Sequence, residues 1–421
     1  MPNTTVINQP LNGNLGDYLI SCLEDADFDI ANIIVAFAKN SGVLRLKPAL
    51  EQFKARGAEI NIFVGIDLDG TSYEALISLS KLADKLHVVH TESDQTFHSK
   101  VYNFKKKDRS IVVVGSNNLT AGGLWTNLES CSIEQLDLSE QSDRSVQCQI
   151  DSYISDITEM QGLSMEIKCQ EDIEALLKAG YVSKEAKTRI RRESARRQIS
   201  KESLDSIKPF ISRIKASLPP IMPDGQHKSA LPDTTKAKIE ARLSASEPTL
   251  DKLNGDGNSI WFETRKMTGG SRNILDLSKK SLVKQGDPQY TAFSIDGSST
   301  EMKGGVQFFG IDPANTSSSI DITINYDGVD YKGNTIKYPT GDKANGTWRL
   351  QIKGESSDGE NILDSFERDY LVNKILVFTK IDERYFFMSI FDASDLNDFI
   401  DVSKVVAYNG SNRRSRLLGL W

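Results

Sequence analysis

Apolar positions fall into two rhythms over residues 30–138, short runs that suit strands and spaced positions that suit helices. Residues 33–39 (IIVAFAK) and 60–66 (INIFVGI) are β-branched apolar runs of strand length. Between them, Val43, Leu44, Leu46, Leu50 and Phe53 recur at helical spacing before Gly57, which predicts a helix across residues 42–57. A second helix is predicted across 72–83, where Leu76, Leu79 and Leu82 share one side. Residues 85–91 (KLHVVHT), 97–104 (FHSKVYNF) and 110–116 (SIVVVGS) read as three strands, the last two joined by a polar hairpin turn. The pattern predicts an α/β layered domain with a mixed sheet.

From about residue 142 to 218 the strand pattern gives way to helix. Prolines 219, 220, 223, 232 and 248 then punctuate a polar tract that reads as a linker. After residue 258 short strands with Gly, Asn and Asp turns take over, among them GGVQFFGI, SSIDITINYDG, GTWRLQIKG, KILVFTKID and RYFFMSIFD. Strands so spaced predict a small all-β barrel or sandwich. The expected division is therefore 1–170, an α/β domain; 171–257, a helical basic segment and linker; and 258–421, an all-β domain.

A chain of 421 residues is too long for a single core, in keeping with that division. Its 38% hydrophobic and 26% charged residues are ordinary for a globular protein, and no apolar run is long enough to span a membrane. The start, MPNTTVINQP, has neither a basic nor an apolar segment, so a cytoplasmic location is expected. Cys22, Cys131, Cys148 and Cys169 lack the paired spacing of a zinc site or disulfide framework. The net charge of -7 disfavours an anionic partner, yet residues 184–215 hold eleven Lys and Arg against four Asp and Glu. That stretch is either a solvated helix surface or a contact for a polyanion.

The chemistry concentrates in residues 97–129. His98 and Lys100, two apart on a predicted strand, share a face. Ser116 and Asn118 follow at the end of the next strand and share a face by the same rule. If the strands are hairpin partners, an imidazole, an ammonium, a hydroxyl and an amide converge on one point. An imidazole attacks phosphorus or shuttles a proton near neutral pH. Lys100 supplies positive charge to the phosphate oxygens, while Ser116 and Asn118 donate hydrogen bonds to them. Glu129, beyond the Gly122-Gly123 turn, is a carboxylate able to orient a histidine. The set needs no metal or other cofactor. His87 and His90, by contrast, sit in an ordinary strand pattern and read as structural.

His98-x-Lys100 with Gly115-Ser116-x-Asn118 resembles the HKD motif of the phospholipase D superfamily, which hydrolyses phosphodiesters through a phosphohistidine. The motif's usual aspartate has no counterpart, because Asp108 falls in the hairpin turn. With Glu129 and the sequence SNNLTAGGL, residues 15–140 resemble the metal-independent restriction endonucleases of the BfiI and NgoFVII type. That resemblance implies that His98, Lys100, Asn118 and Glu129 form the site, with His98 as nucleophile and acid. It implies two such motifs per site, and only one occurs here, so a homodimer through the N-terminal domain is expected.

In the β-rich part, Arg265, Lys266, Thr268, Ser271, Arg272 and Asn273 belong to a basic, glycine-containing loop. Lys337, Lys343, Asn345 and Arg349 accompany Trp348 in a second basic segment. Arg and Asn can read base edges and Ser or Thr can hold phosphates, but a solvated hairpin has the same composition. The two segments resemble the N-arm and C-arm of the B3-like pseudobarrel that follows the nuclease in the same enzymes. Double-stranded DNA is then the expected partner, and a methyltransferase or ATP-driven translocase is left open as a further one. A lipid phosphodiesterase on the same fold, or a non-catalytic DNA-binding protein, are the alternatives. The first lacks a membrane-docking stretch to support it.

Overall fold

The computed structural model describes residues 3–93, 95–202, 218–221, 259–265, 272–289, 291–340, 346–366 and 370–421, with 196–202 described for backbone only. The chain divides into two compact units. One runs from the N-terminus to Glu185, and the other is built mainly on residues 259–421.

The first unit contains β1 (Asn3–Gln9), α1 (Leu15–Glu24), β2 (Ile30–Val35), α2 (Asn40–Ala55), β3 (Glu59–Gly65), α3 (Tyr73–Leu82), β4 (Lys85–Val89), β5 (Lys100–Lys105), β6 (Arg109–Gly115), β7 (Glu129–Asp137), α4 (Gln141–Glu159), β8 (Ser164–Glu166) and α5 (Gln170–Ala179). Its eight strands form one mixed sheet in the order β1-β7-β6-β5-β2-β3-β4-β8. Strands β2, β3 and β4 run parallel, and the remaining pairs are antiparallel. Both faces are covered, which explains the near-continuous apolar runs of β2 and β3. On one face Ile33, Val35, Ile60, Ile62 and Val64 pack with Leu46, Phe53, Leu76 and Leu79 of α2 and α3. On the other, Ile34, Phe63, Val101 and Val112 pack with Ile157 of α4.

The mixed sheet is present as expected, and both predicted helices match the sequence pattern to within two residues, while β2 and β5 are displaced from the predicted runs by three or four residues at one or both ends. Strands β1 and β8 were not anticipated. The packing also carries the unit beyond residue 170, because Ile173, Leu176 and Val182 lie in its core. Glu185 closes it. Its carboxylate oxygen Oε1 accepts from Asn40 N at 2.7 Å and Ser72 Oγ at 2.8 Å, at the starts of α2 and α3. Burial of that carboxyl, with Glu74 beside it, raises its pKa from 4.5 to about 7.

The second unit holds α6 (Glu185–Glu202) beyond its first residue, then β9 (Ser259–Glu263), β10 (Ile274–Leu277), β11 (Lys280–Gln285), β12 (Glu301–Lys303), β13 (Ser319–Tyr326), β14 (Val329–Lys337), β15 (Trp348–Gln351), β16 (Lys374–Asp382), β17 (Tyr385–Asp392), α7 (Leu396–Val402), β18 (Val405–Tyr408) and β19 (Leu417–Leu420). The eleven strands run β10-β15-β14-β13-β17-β16-β9-β19-β18-β11-β12, so β10 and β12 are edges and the sheet is not a closed barrel. The predicted strand GGVQFFGI is instead a 3-10 turn, Gly305–Phe309, ended by Gly310 at φ +81°. Val306, Phe308 and Phe309 are all buried there. An apolar run buried on every side has no alternation to tell strand from helix.

Candidate functional site

The site grows from neighbouring strand ends. Strands β5 and β6 are antiparallel partners with Val101 opposite Val114, so the start of β5 lies beside the end of β6. On its other side Lys100 pairs with Val35 at the end of β2. Lys100 is therefore the first residue of its strand, and His98 sits on the extended segment just before it rather than within the strand.

His98 is exposed, whereas Lys100 is buried to 6% exposure. The Lys100 Nζ lies 2.7 Å from His98 Nδ1 and donates to the His98 carbonyl at 2.8 Å. Burial lowers the Lys100 pKa from its ordinary 10.5, and the Glu129 charge opposes that shift. Phe37 underlies both groups. Its ring meets the His98 ring edge-on at 5.6 Å between centroids and lies 6.0 Å from the ammonium. The Phe37 backbone N–H donates to Asn118 Oδ1 at 3.2 Å. Because that bond occupies the amide oxygen, the Asn118 NH2 group is left to donate elsewhere. Asn117 points inward instead, donating to Gly123 O at 2.8 Å.

Ser116 and Glu129 form a second pair on the rim. The Ser116 hydroxyl donates a short hydrogen bond to Glu129 Oε2, and Ser130 N donates to Ser116 Oγ at 3.1 Å. Asn127 Nδ2 donates to Glu129 Oε1 at 3.3 Å. Glu129 is thus engaged by Ser116 and Asn127 and makes no hydrogen bond to His98 of its own chain, which differs from the orienting role expected for it. The 12 residues between Ser116 and Glu129 include a π-helical turn, Gly122–Thr126, that carries the chain from β6 back to β7. Asp108 is at the opposite end of the β5–β6 hairpin, where its carbonyl accepts from Leu138 N.

Sequence reasoning missed Asp67. This buried carboxylate accepts from Phe97 N at 2.9 Å through Oδ2 and from His90 Nδ1 at 2.5 Å through Oδ1. It thereby holds the residue immediately before His98. The surrounding turn is strained, since Leu68 and Asp69 have φ of 57° and 52°. Gly70 follows because a Cβ there would meet the Phe37 ring at 2.0 Å. An Asp-Leu-Asp-Gly turn thirty residues upstream of the motif has nothing in its spacing to link it to the site. His90 is therefore tied to the site's support, while His87 stacks on Phe63 at 5.1 Å as an interior residue. Among the described residues, no three His, Cys, Asp or Glu side chains are grouped to hold a metal ion.

In the second unit, Lys337, Arg349 and Asp276 stand in one cross-strand row over β14, β15 and β10. Arg265 forms an ion pair with Asp276 at 2.6 Å. Arg272 and Asn273 lie at the other end of β10, where Asn273 Nδ2 donates to Ile352 O at 3.1 Å and closes the β10–β15 pair. Trp348 is fully buried and belongs to the core. Lys266, Thr268, Ser271, Lys343 and Asn345 lie outside the described residues, as does most of the expected linker.

An imidazole thus stands beside a buried ammonium, with an amide and a carboxylate-held hydroxyl on adjoining strand ends of an α/β sheet. Residues 19–150 match the family model described as cardiolipin synthase, PLD-like domain. Similar solved structures include Nuc, a phospholipase D family member from Salmonella typhimurium, at 17% identity and TM-score 0.30, covering 40% of this chain and 100% of that one. NucT from Helicobacter pylori is 17% identical at TM-score 0.29, covering 38% and 97%. Phosphatidylserine synthase from Haemophilus influenzae is 13% identical at TM-score 0.32, covering 48% and 46%. These are distant likenesses. No curated protein matches the chain.

Proposed function

We propose that this protein is a site-specific, metal-independent DNA endonuclease of a restriction or phage-defence system, working as a homodimer on double-stranded DNA. The observation that carries the reading is the His98–Lys100–Asn118 cluster within a PLD-like domain. The β-rich second unit, proposed to be B3-like, supplies the DNA-recognition half of the reading, its cations gathered in local segments rather than in an overall excess.

In the proposed reaction His98 Nε2 attacks phosphorus, a P–N bond forms, and the P–O bond to the leaving oxygen breaks. The leaving oxygen takes a proton from His98 of the second copy. That imidazole, now neutral, takes a proton from water, whose oxygen attacks phosphorus and releases His98. Lys100 and the Asn118 NH2 group hold the non-bridging oxygens as their charge grows.

An ammonium has only protons to donate, so with Lys100 charged, His98 Nδ1 accepts and the ring proton resides on Nε2. Attack by Nε2 needs that proton moved to Nδ1, the Lys100 ammonium turned from Nδ1 toward the phosphate oxygens, and an acceptor in its place. Within one chain Glu129 does not reach His98, so the acceptor is proposed to be Glu129 of the second copy. Val6, Val114 and Leu128, exposed at 49%, 50% and 68% beside Ser116 and Glu129, offer apolar surface for that copy.

The direct test is plasmid cleavage by the purified chain in EDTA. Cutting that survives chelation and disappears in His98→Ala is expected. Turnover of phosphatidyl lipids without DNA cleavage overturns the reading in favour of a lipid phosphodiesterase. A chain that binds DNA and cleaves neither substrate is the non-catalytic alternative.

A further inference from the structure

Four segments of the second unit end at one edge of its sheet. Strand β9 finishes at Glu263 and releases Arg265; β10 finishes at Leu277, followed by Lys279; β14 finishes at Lys337; and β15 begins at Trp348 and Arg349. The β18–β19 turn, residues 409–416 (NGSNRRSR), joins them there. Neither basic arm expected from the sequence includes it.

Side-chain bonds lock that turn to the arms. Asn409 Nδ2 donates to Asp276 O at 2.7 Å, and Asn409 Oδ1 accepts from Ser278 N at 3.0 Å. Arg416 Nη1 pairs with Glu263 at 2.7 Å, and the other Glu263 oxygen accepts from Leu417 N at 3.0 Å. The tip is ordered from within, since Asn412 Oδ1 accepts from Arg414 N at 2.7 Å and the Asn412 carbonyl accepts from Ser415 N at 3.1 Å.

The charges divide by use. At this edge Asp276 is taken by Arg265, Glu263 by Arg416, and Lys279 lies 4.3 Å over the Tyr338 ring. Arg413 and Arg414 are exposed, and among the described residues neither has an acidic partner. Two unneutralised guanidinium groups on a braced turn are preorganised for a polyanion, because a fixed fork loses little freedom on meeting phosphate oxygens.

We propose that the β18–β19 turn is a third DNA-contacting segment, in which Arg413 and Arg414 grip backbone phosphates beside the two arms. The inference rests on the DNA-binding reading of the second unit. Contacts of this kind add affinity without sequence preference and register the protein on the duplex.

The test is duplex-DNA binding by the full chain, followed by fluorescence anisotropy across salt concentrations, on random and on preferred sequences. Arg413→Ala/Arg414→Ala is expected to reduce the log K against log salt slope by about 1.8, two phosphate contacts at about 0.9 each. If those contacts contribute little at 1 M salt, the loss is about sixty-fold at 0.1 M, equal on both DNAs. Arg413→Lys/Arg414→Lys should keep most of the slope. Lys353→Ala, an exposed cation beyond the far end of β15, should change neither. Wild-type binding with an unchanged slope in the double alanine variant overturns this inference and leaves the DNA reading intact. Failure of the wild-type chain to bind duplex DNA overturns both.

Discussion

The two units solve opposite problems with the same residue types. In the first, Lys100 is buried and its ammonium is aimed at His98, while Asn118 is locked by the Phe37 N–H. In the second, Arg265 is spent on Asp276, Asn273 on Ile352 O, and the uncommitted cations stand exposed. A reaction centre needs its groups placed to within a fraction of an ångström, and the one proposed here stands on strand ends with its partners bonded. A surface that meets a long polyanion needs charge density more than placement, so loops suffice. Substitutions in the first unit should therefore act on the chemical step, and substitutions in the second on binding.

The largest expected effect is that of His98→Ala, a loss of at least about 10³-fold in kcat for cleavage, since no other described imidazole is positioned to attack. Its DNA affinity should stay within about twofold of wild type in anisotropy. A large loss of affinity in this variant breaks the division of labour.

Next is Asn118→Ala. Losing one preorganised donor to the reacting phosphate costs about 10²-fold in kcat. Single-turnover rates at saturating DNA separate this from weakened binding. Asp67→Asn should cost about tenfold, because a carboxamide keeps the oxygen facing Phe97 N–H but can no longer accept from both Phe97 and His90 without turning a donor toward one of them. Asp67→Glu, which keeps the charge, tests the same point from the other side. If Asp67→Asn cleaves normally, the support under His98 does not lie in that turn.

Lys100 adds a signed pH dependence. Burial favours the neutral amine, so the group loses its proton at a lower pH than an ordinary lysine at 10.5. Loss of the ammonium removes charge from the phosphate site, and the alkaline limb of the kcat profile should fall below pH 10.5. Lys100→Arg keeps its charge and should move that limb upward while lowering the rate, because a planar fork does not fit the His98 contact. An alkaline limb that stays put in Lys100→Arg assigns it to another group.

These contrasts also explain what was legible in the sequence. The grouping of His98 and Lys100 with Ser116 and Asn118 could be read because β5 and β6 are hairpin partners, which brings the start of one beside the end of the other, although only Lys100 of the four lies within a strand. Phe37 and Asp67 could not, because they reach the site from the segment after β2 and from the turn after β3. Such contacts depend on strand order, which local pattern does not encode. Strand β8 is three residues with no apolar alternation, and β1 is polar along most of its length, so neither carried a strand pattern. In the second unit, composition marked the two arms. It did not show that Asp276 neutralises Arg265, nor that the β18–β19 turn comes alongside them.

The smallest effect belongs to Glu185, and it tests whether the first unit's rigidity reaches its last residue. The residue is partly exposed as a whole, yet its carboxyl is enclosed, and Glu74 adds like charge. The folded form therefore holds the proton more tightly than the unfolded one, between about 4.5 and about 7. In that window the unfolded chain binds fewer protons, so stability falls as pH rises through it. Both bonds, from Asn40 N and Ser72 Oγ, end on Oε1, which a glutamine retains. Glu185→Gln should accordingly melt like wild type at pH 5 and higher at pH 8, by about 1 kcal/mol or about 2–4 °C for a unit of this size. Equal melting of the two proteins at both pH values would mean that Glu185 is solvated in solution and that the unit ends before it.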